Sequence, residues 1–340
     1  MKKLLNSLYI TSDKTYLSLE NENIVISKEG NEIIRVPFIN IENIICFNYI
    51  GCSPALMGKC ASEGIPLNFL RPSGKFLACV TGSIKGNVIL RQKQFDIVRN
   101  ENVCNYLTKN IVTSKIHNSR ILLSKFYKNH KQNEFDSFAN VIECLSSNID
   151  KVYKCDNLDS IRGIEGESAK NYFSVFGQLL CQKDFIFNGR SKRPPLDKVN
   201  AMLSFFYTIL TLEVKSAIET VGLDPYVGFM HTDRPGRPAL ALDLIEELRA
   251  FYVDSFVINI INLKQINHDG FVEKENGAII MSDEARKKML KLWEDRKKET
   301  IKHNIINETI QIGLIPYVQA QLFAKFIRGD IEEYQPFIWS

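Results

Sequence analysis

The spacing of apolar and polar positions changes character once along the chain. Over about the first 85 residues, short runs rich in Ile, Val and Tyr are cut by polar turns, a pattern expected of strands. Strands are predicted at Thr15–Leu19, Asn23–Ser27, Glu32–Phe38, Ile44–Phe47, Ile65–Leu70 and Phe76–Thr81, with Asn-Glu-Asn and Glu-Gly-Asn turns among the first three. Ser53-Pro54 opens a short helix that ends before Gly64, since a serine cap followed by proline suits a first helical turn. From about Ile89 the apolar residues fall at helical spacing. Helices are predicted over Val88–Asn129, Glu134–Ser146, Asp159–Lys183, Pro195–Val221, Pro238–Ile261, Ser282–Lys298 and Glu308–Ile327. A hairpin over Asp269–Met281, turning at Glu275-Asn276-Gly277, interrupts them. The fold class is therefore α+β: an N-terminal β-sandwich-like domain over residues 1–88, then a larger α-helical domain over residues 89–340.

Composition adds little to this. A chain of 340 residues, 45% apolar, has enough length for two cores. Its formal charge of +4 is too small to mark a nucleic-acid binder. Distribution is more telling: Arg286–Lys302 holds 8 Lys/Arg against 3 Asp/Glu, while residues 1–88 hold 9 against 7. Such a basic run is most often a solvated helix face. The eight cysteines show no C-x-x-C pair and no zinc spacing, so most are expected to be buried, reduced core residues. Lys2 and Lys3 are not followed by the apolar run of a secretory signal. No run of 18 apolar residues marks a membrane span. A soluble, cytoplasmic protein is expected.

Candidate chemistry sits in three segments. In Arg162-Gly163-Ile164-Glu165-Gly166-Glu167, two glycines flank a carboxylate near a helix start. Each costs roughly 1 kcal/mol of helix stability against alanine, which points either to tight packing or to close approach by another backbone or a ligand. In Gly228-Phe229-Met230-His231-Thr232-Asp233-Arg234-Pro235-Gly236-Arg237-Pro238, a histidine opens a loop carrying two arginines. A lone histidine is more often structural, but loops held by rigid elements concentrate function. In Leu240-Ala241-Leu242-Asp243-Leu244-Ile245-Glu246-Glu247, Asp243 and Glu246 stand i,i+3 on one helix face, where acids are usually just solvated. Taken together, two or three carboxylates and one imidazole form a hard, oxygen-rich site suited to Mg²⁺ or Mn²⁺. A metal so held leaves positions open for a phosphate oxygen, as phosphoryl transfer on a nucleic acid requires. Arg190, Lys192, Arg193, Arg234 and Arg237 are placed to neutralise flanking phosphates.

These motifs, with Phe187-Asn188-Gly189-Arg190-Ser191-Lys192-Arg193-Pro194-Pro195 and Asn200-Ala201-Met202-Leu203-Ser204, resemble the CRISPR-associated spacer-acquisition integrase family, in a type I-C-like form. The resemblance spans nearly the whole chain. It implies metal ligands and catalytic residues at Glu165, His231 and Glu246, with Asp243 as a supporting acid and Glu167 and Glu247 as rival positions. Glutamate stands at 246 where some relatives have aspartate. The reaction implied is attack by the 3′-hydroxyl of a captured DNA fragment on a phosphodiester at a CRISPR repeat, with associated endonuclease activity. The implied partners are a double-stranded prespacer, repeat and leader DNA, a second copy of the chain joined through the β-domain, a small ferredoxin-like adaptation protein and a RecB-like nuclease. The same ligands with water as nucleophile would make a nuclease for branched or single-stranded DNA. A scaffold that binds DNA without catalysis would have no use for them.

Overall fold

A computed structural model describes residues 6–47, 51–82, 88–129, 136–232 and 234–340. Its first part contains β1 (Ser7–Ile10), β2 (Thr15–Glu20), β3 (Asn23–Lys28), β4 (Asn31–Pro37), β5 (Asn43–Cys46), α1 (Pro54–Glu63), β6 (Leu67–Leu70) and β7 (Phe76–Val80). β2, β3 and β4 form an antiparallel meander. Its two tight turns hold Asn21, Glu22, Glu29 and Gly30 at positive φ, as the twist of a two-residue hairpin demands. The second sheet runs β1-β5-β6-β7, parallel across its first three strands and antiparallel at β7. β1, only four residues long, is a strand that the sequence pattern did not reveal.

Alternation along β5 decides how this part joins the rest. Ile44 and Cys46 point into a small core with Leu17, Ile24, Leu56, Cys60 and Leu67. Ile45 and Phe47 point the other way, into the large helical core, because successive strand residues face opposite sides. Phe47 stacks on Phe205 at 5.5 Å between centroids, and the Arg286 guanidinium lies 5.3 Å from the Phe47 ring. Arg286 also donates to the Pro72 carbonyl at 3.1 Å.

The helical part contains α2 (Val88–Arg99), α3 (Glu101–Asn129), α4 (Asp136–Lys154), α5 (Leu158–Phe176), α6 (Lys198–Thr220), α7 (Ala239–Ile245), α8 (Ser255–Asn262), the hairpin β8 (Phe271–Glu273) and β9 (Ile279–Met281), α9 (Asp283–Lys298), a second hairpin β10 (Thr300–His303) and β11 (Glu308–Gln311), and α10 (Ile315–Arg328). Several predicted helices are divided or shortened. Val88–Asn129 breaks at Asn100, whose Oδ1 accepts from the amides of Asn102 and Val103 and so caps a new helix. The helix expected from Asp159 ends at Phe176 in a short 3-10 turn. That expected from Pro195 starts at Lys198, capped by Asp197. Of the helix expected over Glu134–Ser146, Glu134 and Phe135 lie outside the described residues. Glu308–Gln311 is a strand and not a helix: Thr309-Ile310-Gln311-Ile312 alternates at period two, and Pro316 belongs to the first turn of α10.

Burial also corrects the reading of charge and cysteine. The basic α9 is not simply a solvated face, since Arg286 and Lys297 are buried. Lys297 pairs with Glu213 at 3.1 Å and Glu294 at 2.9 Å, while the Trp293 indole donates to Glu213 at 3.1 Å. Cys46, Cys52, Cys60 and Cys104 are buried, but Cys79, Cys144 and Cys155 are only half-buried and Cys181 is exposed. α6 is long and apolar enough to cross a bilayer by length and composition, yet 72% of its apolar window is buried inside the protein. Its apolarity thus serves as the central strut of the core.

Candidate metal and nucleic-acid site

The centre of the site is built by one buried carboxylate. Asp243 on α7 is fully buried. Its Oδ2 accepts from the amides of Phe229 at 2.7 Å and Met230 at 3.0 Å, and its Oδ1 from the amide of His231 at 3.0 Å. The same Oδ1 lies 2.6 Å from His231 Nδ1. A carboxylate only accepts, so Nδ1 donates to it and Nε2 is the ring nitrogen left for another partner, the orientation seen in metal-binding imidazoles. Gly228 makes this closeness possible: a Cβ there would sit 2.6 Å from Asp243 Oδ2 and 2.8 Å from Ala239. The loop is also tied from two other elements. Gln94 on α2 donates to the Asp224 and Val227 carbonyls, and Arg162 on α5 donates to the Met230 carbonyl.

Around His231 opens a cleft of about 800 Å³, lined also by Glu165, Glu246, Lys115, Arg249 and Arg237. Glu165 comes from α5, and Glu246 from the turn just after α7. The expected continuous helix breaks there: residues 246–248 form a turn, and Arg249–Asp254 winds as a π-helix before α8, a form often found at functional sites. The break sends the two neighbouring glutamates to different environments. Glu246 faces the cleft, whereas Glu247 is buried behind it, accepting from Tyr334 Oη at 2.8 Å, Gln319 Nε2 at 3.1 Å and the Phe337 amide at 2.7 Å. Burial pushes the Glu247 carboxyl up to about 7 despite these donors. Burial would raise Glu246 likewise, but the Arg249 guanidinium and the Lys115 ammonium hold it down at about 2. Asp243 and Glu246 are thus both buried, and neither is a solvated surface acid.

Lys115 and Arg249 are the residues that sequence reasoning missed. Lys115 on α3 pairs with Glu165 and, at 2.7 Å, with Glu246; Arg249 pairs with Glu246 at 2.8 Å. Nothing local marks Lys115, which reads as one polar residue within a long helix. Arg249 had a signal in its i,i+3 spacing from Glu246. Gly163 and Gly166 have no atom within 4 Å of where a Cβ would stand. They therefore serve neither helix packing nor close approach by another backbone, and leave bare the helix that carries Glu165. Glu167 is exposed and does not line the cleft.

Among the basic candidates, Arg190, Lys192, Arg193, Arg234 and Arg237 all line the cleft. Lys192, Arg193 and Arg234 are exposed there. Arg190 is committed elsewhere: it donates to Asn200 Oδ1 at 2.7 Å, the Ser191 carbonyl at 2.6 Å and Ser204 Oγ at 3.1 Å. These bonds tie it to α6 and to the loop that carries Lys192 and Arg193. Asp233 lies outside the described residues.

Glu165, Glu246 and the His231 imidazole, lining one cleft, suit a hard divalent cation in chemistry. Among the described residues no three His, Cys, Asp or Glu side chains are drawn together as a finished metal cage; Lys115 stands between two of the candidates. Behind them, Asp254 accepts from Tyr172 Oη at 2.9 Å and from Tyr207 Oη. Tyr207 in turn lies under the guanidiniums of Arg249 and Arg190, at 4.8 and 5.5 Å. Burial raises the Asp254 carboxyl to about 6, against these two hydroxyls and the two arginines. Since the folded value exceeds the unfolded one, folding favours the protonated acid. The stability so contributed is complete below about pH 4 and is lost as pH rises through about 6, an effect on the order of 3 kcal/mol. Urea melts from pH 4 to 8 should show wild type losing that much stability relative to Asp254→Asn; parallel curves would refute it.

A strand domain, a helical bundle and a basic cleft around carboxylates and an imidazole define a protein class that handles phosphodiesters. The chain matches the family described as CRISPR associated protein Cas1 over residues 8–295. It is 42% identical to CRISPR-associated endonuclease Cas1 1 of Chlorobaculum tepidum over 342 residues, covering 100% of both chains. It is also 42% identical to CRISPR-associated endonuclease Cas1 2 of Rhodospirillum rubrum over 347 residues, again covering 100% of both. A solved casposase bound to integration product shares the fold with a TM-score of 0.85 at 19% identity, over 97% of this chain and 93% of that one. The chain belongs to the Cas1 family of CRISPR-associated endonucleases.

Proposed function

We propose that this protein joins captured DNA fragments to CRISPR repeats by 3′-hydroxyl attack on a repeat phosphodiester, with Glu165, His231 and Glu246 as the catalytic metal ligands. The observation that carries the reading is the convergence of these three side chains on one basic cleft, with His231 held through Nδ1 by Asp243 so that Nε2 is the nitrogen left for a metal. A bound Mg²⁺ or Mn²⁺ would polarise the scissile phosphate and stabilise charge developing on its oxygens. Lys192, Arg193, Arg234 and Arg237 hold the DNA backbone by charge, and Arg190 holds the loop of the first two. Arg249, stacked on Tyr207, keeps the Glu246 carboxylate ionised and aimed.

Duplex prespacer and repeat-leader DNA are the substrates in this reading. A second copy meets the first through the β-domain (residues 1–88), leaving residues 89–340 to hold metal and DNA. A small ferredoxin-like adaptation protein and a RecB-like nuclease complete the assembly, in the cytoplasm and in a type I-C-like system. These assignments rest on the family and on the order of its motifs in this chain.

The test separates joining from hydrolysis. A DNA end bound beside the site has a high effective concentration, which favours it over water. With the adaptation partner, Mn²⁺ and a repeat-bearing plasmid, prespacers with ordinary 3′ ends should give branched joined products. Prespacers with dideoxy ends should bind without being joined. Identical cleavage from both, with no joined product, would make water the nucleophile.

A further inference from the structure

Lys115 has an unusual position for a cleft lysine. Its ammonium lies between the carboxylates of Glu165 and Glu246, paired with both. Its side chain is only 17% exposed, against 22% for Glu165 and 4% for Glu246. The site therefore carries its own cation at the point shared by two carboxylates arriving from different elements. A divalent ion held by Glu165 and Glu246 would compete for the carboxylates that Lys115 pairs with, and two cations cannot both sit against them without strong repulsion.

Charge accounting shows what each arrangement costs. With Lys115 in place, two carboxylates face two cations, since Arg249 also pairs with Glu246 at 2.8 Å. Buried charges left without a partner are expensive, so Lys115 and Arg249 keep the pocket formed. The long methylene stem of lysine lets its head move while the backbone of α3 stays fixed. A cavity of about 70 Å³ adjoins it, lined by Ser168, Tyr207 and Asp254 as well as by Lys115 and Glu165. On its other side Lys115 borders the open cleft with Lys192 and Arg193, where an entering phosphate would draw an ammonium outward.

We propose that Lys115 is a resident counter-cation that competes with the divalent metal for the position between Glu165 and Glu246, and that DNA phosphate in the cleft relieves this competition. The inference rests on the metal-site reading above. Its consequence is linkage: a ligand that draws Lys115 away from the carboxylates strengthens metal binding, and metal strengthens binding of that ligand by the same factor. Metal loading is thereby tied to the presence of DNA.

Mn²⁺ binding, followed by the electron paramagnetic resonance signal of free Mn²⁺, tests this without any catalytic readout. Wild type, Lys115→Met and the double variant Glu165→Gln/Glu246→Gln would be titrated with and without a short duplex. Without DNA, Lys115→Met should bind Mn²⁺ roughly tenfold more tightly than wild type, a typical size for coupling between competing ligands. The duplex should tighten Mn²⁺ binding to wild type and have less effect on Lys115→Met. Equal or weaker Mn²⁺ binding by Lys115→Met would overturn the proposal while leaving the metal site standing. Wild-type Mn²⁺ binding that survives in the double variant, or is absent altogether, would overturn the site itself. Amine labelling of Lys115 in wild type, read by mass spectrometry, covers any folding defect in the variant. Labelling should rise when Mn²⁺ is added, and unchanged labelling counts against displacement.

Discussion

Glu165→Ala, His231→Ala and Glu246→Ala should each lower strand joining by about 10²–10³-fold or more, the loss expected when a group stabilising transition-state charge is removed. The three side chains reach one cleft from three separate elements, so no neighbour can replace a missing ligand without moving a helix. Their effects on stability should differ. Glu246→Ala leaves Lys115 and Arg249 facing each other without the carboxylate that pairs with both, and should melt earlier than His231→Ala. The informative comparison is Glu246→Gln with Glu247→Gln, which differ by one position and almost nothing in volume. Glu246→Gln should lose joining. Glu247→Gln should keep it, because Glu247 is committed to Tyr334, Gln319 and the Phe337 amide behind the cleft. Joining assays on the two variants would exchange these roles if the result were reversed.

Asp243→Ala carries the largest expected cost in stability. One carboxylate accepts from three consecutive backbone amides and from the His231 ring, in a fully buried place. Its loss strands those donors without water, costing about 3–5 kcal/mol by the usual penalty for breaking a buried charged network. Asp243→Asn should not rescue it. One oxygen must serve two amides and the other an amide and a ring N–H, so an NH₂ group at either place faces donors. Denaturant melts should rank wild type well above both variants. In any folded fraction, joining should fall along with metal affinity, because the imidazole loses the partner that fixes its tautomer and direction. A variant with unchanged stability but abolished joining would mean that Asp243 reaches the metal or substrate directly.

The division into strands and helices was legible because hydrophobic period is a local property: short strand-like runs over about the first 85 residues and helical spacing from about Ile89. Chemistry-bearing segments were legible for a related reason. Gly228 through Arg237 and the glycines around Glu165 depart from what a stable helix or strand prefers, and that departure is visible without a structure. The breaks were less so. Asn100 caps a helix inside a continuous apolar period, and the π-turn at Arg249–Asp254 lies within one. In both, local pattern permits one long helix, and packing against neighbours chooses otherwise.

Which acid faces the cleft was decided only in three dimensions. Glu246 and Glu247 are chemically the same, and a regular helix would place them about 100° apart, with no reason to prefer either. The turn at 246–248 puts one among Lys115 and Arg249 and the other among Tyr334 and Gln319. Lys115 itself lies 50 residues from Glu165 and 131 from Glu246 in sequence, so no spacing rule connects them. Arg190 depends on the fold as well: its basic loop reads as a phosphate contact, and only the tertiary structure brings its guanidinium to Asn200 and Ser204. Residue type and local period determined which elements form and which chemistry is present. The electrostatic state of each group came from burial and from partners brought by other helices, which a linear pattern does not contain.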